Sequence, residues 1–436
     1  MRLARRTLRP LLAAVVMGAM VVTLAPASPA AAKTVTIDDR MFGVHDTDPV
    51  AGSWPTANIG SMRLWDAHLA WPDIETSPGV YDFRRLDQVV VEANAHGTEL
   101  TLVLGLTPAF YQPAGGSVAS VPTDLNAFGN YVRAIVTRYS AANWGYRGIA
   151  AYQVWNEANV KNYWTGSPAQ MAQLTRITYA AVKGVDRGAL VIGPAFASRI
   201  AEQTRGVGFF YYYRFPDNRV PVWHYMDAIS LNLYPKAFYG SKAGTPETSM
   251  ALLAAARTQM RLRGVPDSKP IWNTEINYGL ESGGTGASNA ISYELQASYV
   301  LRTYLLNAAN GIKRVHWYAW DKPSLGNTKM SFASTGGPTL AGKAFGLAQS
   351  WLSGAKLVGT STSAKPCAKD SAGTYTCVIK YAKGVRRVYW NPKKKVKITT
   401  VKSATYKMGV YAKKATIKGG SRQTVDHRPL MVRSKF

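Results

Sequence analysis

The sequence has few cysteines, and it lacks the glycine-rich loops that hold phosphates. Cys367 and Cys377 are its only two cysteines among 436 residues. Two cysteines without the partner ligands of a zinc cluster argue against a metal site. No GxGxxG or GxxxxGK[ST] motif stands at a strand–helix junction, which counts against dinucleotides and nucleoside triphosphates as ligands. We therefore expect neither a metal nor a cofactor.

Long hydrophobic runs are also missing after the first 32 residues. Within residues 1–32, a basic head precedes an apolar run at residues 11–24 and a small-residue stretch at residues 25–32. This order is typical of a signal peptide, and the run is shorter than a membrane span requires. We predict export, an extracellular mature protein beginning near residue 33, and no membrane span.

Acidic residues are scarce, and their scarcity is uneven along the chain. The sequence holds 52 Lys and Arg against 25 Asp and Glu, a formal net charge of +27. Residues 355–436 contain 20 of these basic residues and only two of the acidic ones. Such a segment is attracted to polyanions, so an anionic cell-wall polymer is the candidate partner and a solvated surface the alternative. No recognition helix or RNA-binding motif accompanies the charge, so nucleic acid is not expected.

Apolar stretches of strand length alternate with helical patterns through residues 33–354. Helical spacing is clearest where Leu125, Phe128, Val132, Ile135 and Tyr139 form one stripe. Eight strands are predicted, at residues 40–46, 61–66, 99–105, 149–155, 189–193, 227–232, 270–273 and 313–320. Eight βα units over this length predict a (β/α)8 TIM barrel, with an open doubly wound sheet as the alternative.

From residue 355 onward the pattern changes to short alternating stretches separated by turn residues. This pattern predicts a small all-β, sandwich-like module covering residues 355–436. Strands are expected at residues 375–382, 386–390, 396–401, 408–411, 416–417 and 429–432. In an oxidising compartment Cys367 and Cys377 should form a disulfide across a hairpin of this module.

Two strands of the predicted barrel end in a carboxylate. Residues 150–159 read AAYQVWNEAN and turn polar at Asn156 and Glu157, and residues 270–277 read PIWNTEIN and carry Glu275. The carboxyl ends of barrel strands form the catalytic face, so the two carboxylates should meet there. Hydrolysis of a glycosidic bond needs such a pair, about 5–5.5 Å apart for retention of configuration and about 6.5–9.5 Å for inversion.

These stretches resemble clan A of the glycoside hydrolases, a set of retaining (β/α)8-barrel enzymes, and within it family 39 and its relatives. WNEAN is similar to the clan's general acid/base motif, and TEINYG resembles its nucleophile strand. RLWDAHLAW and NYWTGSPAQMAQLTRITYAAVK also support the resemblance. It implies a retaining glycoside hydrolase that acts on a polysaccharide or oligosaccharide by double displacement. Glu157 would be the general acid/base, and Glu275 the nucleophile.

The resemblance implies further substrate-site residues. Arg63 would hold the nucleophile ionised, Tyr234 would hydrogen-bond it, and Asn156 would bind the sugar 2-hydroxyl. Either Trp317 or Trp320 would form the floor of the sugar subsite. The sequence departs from the clan at Asn232, where the clan often has a histidine. An amide cannot titrate near neutral pH.

Each assignment has a structural alternative. Glu157 could cap the following helix, Glu275 could be the ion-pair partner of a core Arg63, and Asn156 and Tyr234 could be ordinary loop hydrogen-bonding groups. His45 could touch a substrate hydroxyl or be a satisfied core histidine. The competing functions are a non-catalytic carbohydrate-binding barrel and a polyanion-binding cell-surface protein.

Overall fold

The computed structural model describes most of the chain after the predicted signal segment. The described residues are 35–50, 54–198, 206–217, 219–235, 244–279, 291–321, 328–332, 336–360 and 363–435. The predicted signal peptide, residues 1–32, lies outside them. Among the described residues, no helix is long and apolar enough to cross a membrane.

Eight parallel strands form the barrel. They are β1 (Phe42–Val44), β2 (Ser61–Leu64), β3 (Glu99–Leu104), β4 (Ala151–Val154), β5 (Leu190–Ile192), β6 (Ile229–Asn232), β7 (Ile271–Ile276) and β8 (Val315–Trp317). Their order in the sheet is β5-β4-β3-β2-β1-β8-β7-β6, and a ninth short parallel strand, Phe196–Ala197, pairs with β6. A parallel bridge between Ile192 and Ala228 joins β5 to β6. The predicted barrel fold is confirmed.

Side chains that alternate along the strands form two different layers. On β4, Tyr152 and Val154 belong to the apolar core around the barrel, whereas Gln153 is fully buried and bonds Arg63 of β2. Successive strand residues point to opposite faces, so one set packs under the helices and the other fills the barrel. Here the inner set is largely polar, and it includes His316 of β8. This interior carries the groups that organise the site.

Six long helices are described around the barrel. They are α1 (Arg84–Ala95), α2 (Leu125–Tyr139), α3 (Pro168–Val185), α4 (Pro246–Arg261), α5 (Tyr293–Ala309) and α6 (Leu340–Leu352). Ser167 and Gln170 form a capping box at the start of α3. The cap of α2 is Asp124, whose carboxylate accepts from two backbone N–H groups.

Shorter elements fill the connections. Two short α-helices are Trp71–Ile74 and Ala141–Trp144, and 3-10 helices are Asp39–Met41, Ala109–Tyr111, Gly206–Arg214 and Val222–Tyr225. Two small hairpins pair Glu75–Ser77 with Val80–Tyr81 and Pro216–Asp217 with Val220–Pro221.

The predicted all-β region follows the barrel. Its strands are β9 (Lys356–Val358), β10 (Cys367–Lys369), β11 (Tyr375–Tyr381), β12 (Gly384–Trp390), β13 (Val396–Thr399), β14 (Ala404–Met408), β15 (Lys414–Thr416), β16 (Arg422–Val425) and β17 (Leu430–Ser434). The strand predicted at residues 408–411 is wrong, since the strand there ends at Met408 and turns follow it. Most of the strands form one antiparallel sheet, and β13 and β16 form a separate two-stranded one.

The chain's first described strand belongs to this β region and not to the barrel. Val35–Thr36 pairs antiparallel with β9. The sequence analysis missed this strand because two residues carry no periodic signal. The predicted disulfide is confirmed: Cys367 and Cys377 are bonded and lie opposite each other on β10 and β11.

Candidate active site

Glu157 follows β4 at a sharp backbone turn. Trp155 and Glu157 both have positive φ angles, 58° and 40°. Residues other than glycine seldom adopt this left-handed backbone conformation, and those that do cluster at functional sites. Asn159 fixes the turn, since it donates to the Ala197 carbonyl and accepts from the Ala197 N–H, both at 2.8 Å. The turn delivers a carboxylate that is 96 % buried to the carboxyl end of the barrel.

Glu275 lies on β7 itself and is 2 % exposed. Its Oε1 accepts a hydrogen bond from Nη1 of Arg63 at 2.8 Å, and its Oε2 accepts one from the hydroxyl of Tyr234 at 3.2 Å. Two donors on one carboxylate favour its charged form. The sequence-predicted partners of Glu275 are therefore both in contact with it.

The Arg63 guanidinium is fully buried and connects both strand ends. Besides Glu275, it donates through Nη2 to Oδ1 of Asn156 at 2.8 Å and through Nε to Oε1 of Gln153 at 2.8 Å. The planar fork of arginine suits such bridging, which a lysine ammonium could not reproduce. Arg63 thus fixes the positions of Glu275 and Asn156 relative to each other.

Asn232, where the sequence departs from the clan pattern, contacts Glu157. Its Nδ2 donates to Glu157 Oε1 at 3.0 Å, and its Oδ1 accepts from the Thr274 hydroxyl at 2.8 Å. The Thr274 and Ser230 hydroxyls are 2.6 Å apart, which extends the same chain of hydrogen bonds. On the sheet, Asn232 is the register partner of Glu275. Asn232 therefore contacts Glu157 through its side chain and is paired with Glu275 through the strand register.

The two carboxylates influence each other's protonation. Burial raises the pKa of Glu275 to about 7; the Arg63 charge opposes this rise and the Glu157 charge adds to it. Glu275 accepts from a guanidinium and a phenol, whereas Glu157 accepts from one amide. The hydrogen bonds from Arg63 and Tyr234 favour the ionised form of Glu275 and oppose the effect of burial on its pKa.

His45 lies in the barrel interior and is fully buried. Its Nε2 donates to the Thr274 carbonyl at 2.9 Å, and burial and the nearby Arg63 hold its pKa well below the ordinary value. A neutral imidazole with no exposed surface fits the core-histidine alternative. Its hydrogen bond to the Thr274 carbonyl supports the strand that carries Glu275.

Neither tryptophan predicted for the sugar subsite faces the carboxylates. Trp317 packs against Tyr278 in the core outside the strands, and Trp320 packs against Phe345 of α6. The aromatic that β8 brings to this end of the barrel is Tyr318, which clusters with Trp65 and Tyr234. Its hydroxyl donates to Asp66 Oδ2 at 2.7 Å. We therefore propose Tyr318, in addition to Trp317 and Trp320, as a candidate for the subsite aromatic.

A cavity of about 240 Å³ adjoins this aromatic cluster. Trp65, Asp66 and Leu106 are among the residues that line it. Tyr163, from the loop after β4, meets the Trp65 ring edge to face at 6.0 Å between centroids. Aromatic rings with carboxylate and hydroxyl groups beside them suit a ligand with apolar faces and polar edges.

Sequence reasoning missed several members of the network: Gln153, Ser230, Asn232 as a contact of Glu157, Thr274 and Tyr318. The sequence feature that could have identified them is their position, since each lies on or just after a barrel strand and faces the barrel interior. Polar residues inside an apolar strand pattern mark such places. Their partners depend on the register between strands, which the sequence does not give.

Solved structures share this fold over nearly the whole chain. A glucosidase from Croceicoccus marinus has a TM-score of 0.63 at 14% identity, with 93% of this chain and 99% of that chain covered. A family 39 glycoside hydrolase from Bacteroides cellulosilyticus WH2 has a TM-score of 0.64 at 17% identity, covering 92% and 82%. A family 30 endoxylanase from Clostridium papyrosolvens has a TM-score of 0.56 at 12% identity, covering 93% and 98%.

No protein-family model matches the sequence, and no curated protein sequence does. The likeness to solved structures therefore concerns the fold: a TIM barrel with a β region, as found in glycoside hydrolases of families 39, 30 and 44.

Proposed function

We propose that this protein is a secreted glycoside hydrolase that cleaves O-glycosidic bonds of a polysaccharide or oligosaccharide with retention of configuration. The observation that carries the proposal is the hydrogen-bond network that joins Glu275 to Glu157 through Arg63, Asn156 and Asn232, in which Asn232 Nδ2 donates to Asn156 Oδ1 at 3.4 Å. Two neighbouring carboxylates with different donor sets suit a division of labour between acid and nucleophile. The glucosidase, xylosidase and xylanase named among the fold neighbours support a carbohydrate substrate.

In the first step, the ionised Glu275 attacks the anomeric carbon while Glu157 gives its proton to the leaving oxygen. The glycosidic bond breaks, and a glycosyl ester forms on Glu275. Arg63 and Tyr234 hold the attacking carboxylate in place, and Asn156 faces the sugar 2-hydroxyl. In the second step, Glu157 takes a proton from water, the water oxygen attacks the anomeric carbon, and Glu275 leaves as a carboxylate.

Export rests on the basic, apolar and small-residue order of residues 1–32, and the disulfide fits an oxidising compartment. We propose a catalytic barrel at residues 33–354 and a β module at residues 355–436. The first strand of the mature chain pairs into that module, so the two parts should not separate cleanly at residue 354.

Conservative amide variants test the chemistry. Glu157→Gln should lower kcat about 10²–10⁴-fold on substrates with poor leaving groups, the usual contribution of a general acid. Glu275→Gln should abolish turnover of every glycoside while binding of the substrate persists. Product analysis by NMR at early times should show the configuration of the substrate. A wild type that binds oligosaccharides and cleaves none would favour the non-catalytic barrel, and an inverted product would refute retention.

External anions distinguish the two roles. Azide should restore turnover of Glu157→Ala on an activated aryl glycoside and give the glycosyl azide of retained configuration, because the azide replaces the water that Glu157 activates. The matched Glu275→Ala variant should give an azide of inverted configuration. Exchange of these two outcomes would reverse the assigned roles.

A further inference from the structure

The two-stranded sheet of β13 and β16 presents a basic face to solvent. Lys397, Thr399, Arg422 and Thr424 are exposed, whereas Val396, Ile398 and Val425 pack into a small apolar cluster beneath. Strand alternation explains the division, and the register sets Lys397 beside Thr424 and Thr399 beside Arg422. The turn before β13 adds the exposed Lys393, Lys394 and Lys395. We call these five cations, Lys393, Lys394, Lys395, Lys397 and Arg422, the basic ribbon.

The ribbon's turn is ordered before any partner binds. Asn391 Oδ1 accepts from the backbone N–H of Lys393 at 3.1 Å and of Lys394 at 3.2 Å. Asn391 itself is fully buried, and its backbone N–H donates to the Asp426 carbonyl at 2.8 Å. A surface that is already shaped loses little conformational entropy on binding.

The ribbon's charges are not neutralised locally. Among the described residues, none of its five cations forms a salt bridge, and the acidic groups nearest in sequence have other partners. Asp426 is paired with Arg428. Asp370 accepts from the Thr374 N–H at 2.8 Å, within its own turn. Five exposed like charges repel one another, which disfavours the compact state unless an outside anion offsets the repulsion.

The ribbon lies at the catalytic end of the molecule. Helices of a βα barrel start at the face where the strands end, so the first turns of α4 and α5 mark that face. Trp390, just before the ribbon's turn, donates from Nε1 to Glu247 in the first turn of α4 at 2.8 Å. Arg428, just after β16, donates to Glu294 in the first turn of α5 at 2.8 Å. Both flanks of the ribbon are thus tied to the rim that carries Glu157 and Glu275.

The side chains of the ribbon favour one class of polyanion. Its exposed positions are lysines, threonines and one arginine, without an aromatic ring on which a nucleic-acid base could stack. It also carries no exposed apolar side chain that could insert into a lipid surface. The lysine ammonium acts as a point charge and, unlike a guanidinium, does not select for the planar geometry of a particular anion. These properties suit a flexible chain with an anionic group in each repeating unit.

We propose that the basic ribbon binds linear acidic polysaccharides and holds them beside the catalytic cleft. This inference deepens the proposed hydrolase, because a polymer bound at the ribbon lies near the rim where cleavage would occur. It also stands without hydrolysis, because the binding surface contains none of the catalytic groups.

Charge removal at matched sites tests the proposal in the full chain. Lys393→Gln, Lys394→Gln, Lys395→Gln and Lys397→Gln are combined in one variant. The control combines Lys356→Gln, Lys380→Gln, Lys383→Gln and Lys435→Gln, which removes four exposed lysines elsewhere in the same β region. Binding to polygalacturonate is measured at low salt and at about 0.5 M salt, where surface charges are screened. Poly(glycerol phosphate) distinguishes phosphate from carboxylate as the anion, and neutral dextran is the uncharged reference.

At low salt, the ribbon variant should bind polygalacturonate at least about tenfold more weakly than wild type, and the control should bind within about twofold of wild type. At high salt, wild type and control should both dissociate from the polymer. Turnover of a small neutral glycoside should be unchanged in both variants. Equal losses in the two variants would reduce the effect to net charge and overturn the proposal. Tighter binding of poly(glycerol phosphate), of duplex DNA or of anionic vesicles than of polygalacturonate would overturn it as well. A wild type that binds polygalacturonate but hydrolyses no glycoside would refute the proposed function and leave the proposed binding surface in place.

Discussion

The amide nitrogen of Asn232 lies 3.0 Å from Oε1 of Glu157. This contact gives the Glu157 carboxylate an amide partner at the position where the clan pattern often has a histidine. Because the amide holds the carboxylate that we propose as the acid/base, activity should depend on this contact.

Asn232→Ala removes the donor that stabilises the Glu157 carboxylate. Leaving a buried hydrogen-bonding group without its partner costs about 1–3 kcal/mol, so kcat/KM should fall about 10- to 100-fold. Asn232→His should instead add an ionisation near neutral pH to the profile of kcat/KM against pH. The measurement is kcat/KM on an aryl glycoside from pH 4 to 9. An unchanged kcat/KM in Asn232→Ala would contradict the role of this contact.

Arg63→Lys keeps the positive charge and loses the planar fork that joins Glu275, Asn156 and Gln153. We expect kcat/KM to fall about 10²-fold, because both substrate-facing groups lose their fixed relative position. Arg63→Met leaves Glu275 buried without its partner and should destabilise the ionised protein by about 3–5 kcal/mol. Steady-state kinetics and chemical denaturation separate the two effects. Wild-type kinetics in Arg63→Lys would show that charge alone suffices.

The sequence predicts the strands of this protein better than it predicts the contacts between their side chains. The barrel strands were predictable because apolar runs ending in Asn156, Glu157 or Glu275 combine two independent signals, strand length and a polar end. The contact between Asn232 and Glu157 was not predictable, because it joins strands whose relative register only the folded sheet defines. Strand alternation could have excluded Trp317, since the inward-facing His316 makes Trp317 face outward.

Mutation can decide whether Tyr318 or Trp317 is the aromatic residue that contacts the substrate. Tyr318→Ala removes a ring that clusters with Trp65 and Tyr234, and its bond to Asp66. We expect kcat/KM to fall about 10- to 100-fold, mainly through a higher KM, since a lost aromatic contact costs about 1–3 kcal/mol. Trp317→Phe should lower stability and leave kcat/KM within about twofold. A large fall in kcat/KM for Trp317→Phe and none for Tyr318→Ala would favour Trp317 as the subsite residue.

Glu275→Gln should change how stability depends on pH. Burial raises the pKa of Glu275 from an ordinary 4.5 to about 7, so the folded protein holds a proton that the unfolded chain has already lost. Stability in the wild type is therefore lost as pH rises through this window, by about 3 kcal/mol at most, since each pKa unit corresponds to about 1.4 kcal/mol. A glutamine cannot ionise, so the variant avoids this loss.

The difference in unfolding free energy between Glu275→Gln and wild type should therefore grow in favour of the variant from pH 4.5 to 7.5. Denaturant titrations at three pH values across this range measure it. A difference for Glu275→Gln that stays constant or shrinks with pH would mean that Arg63 and Tyr234 already compensate the buried charge.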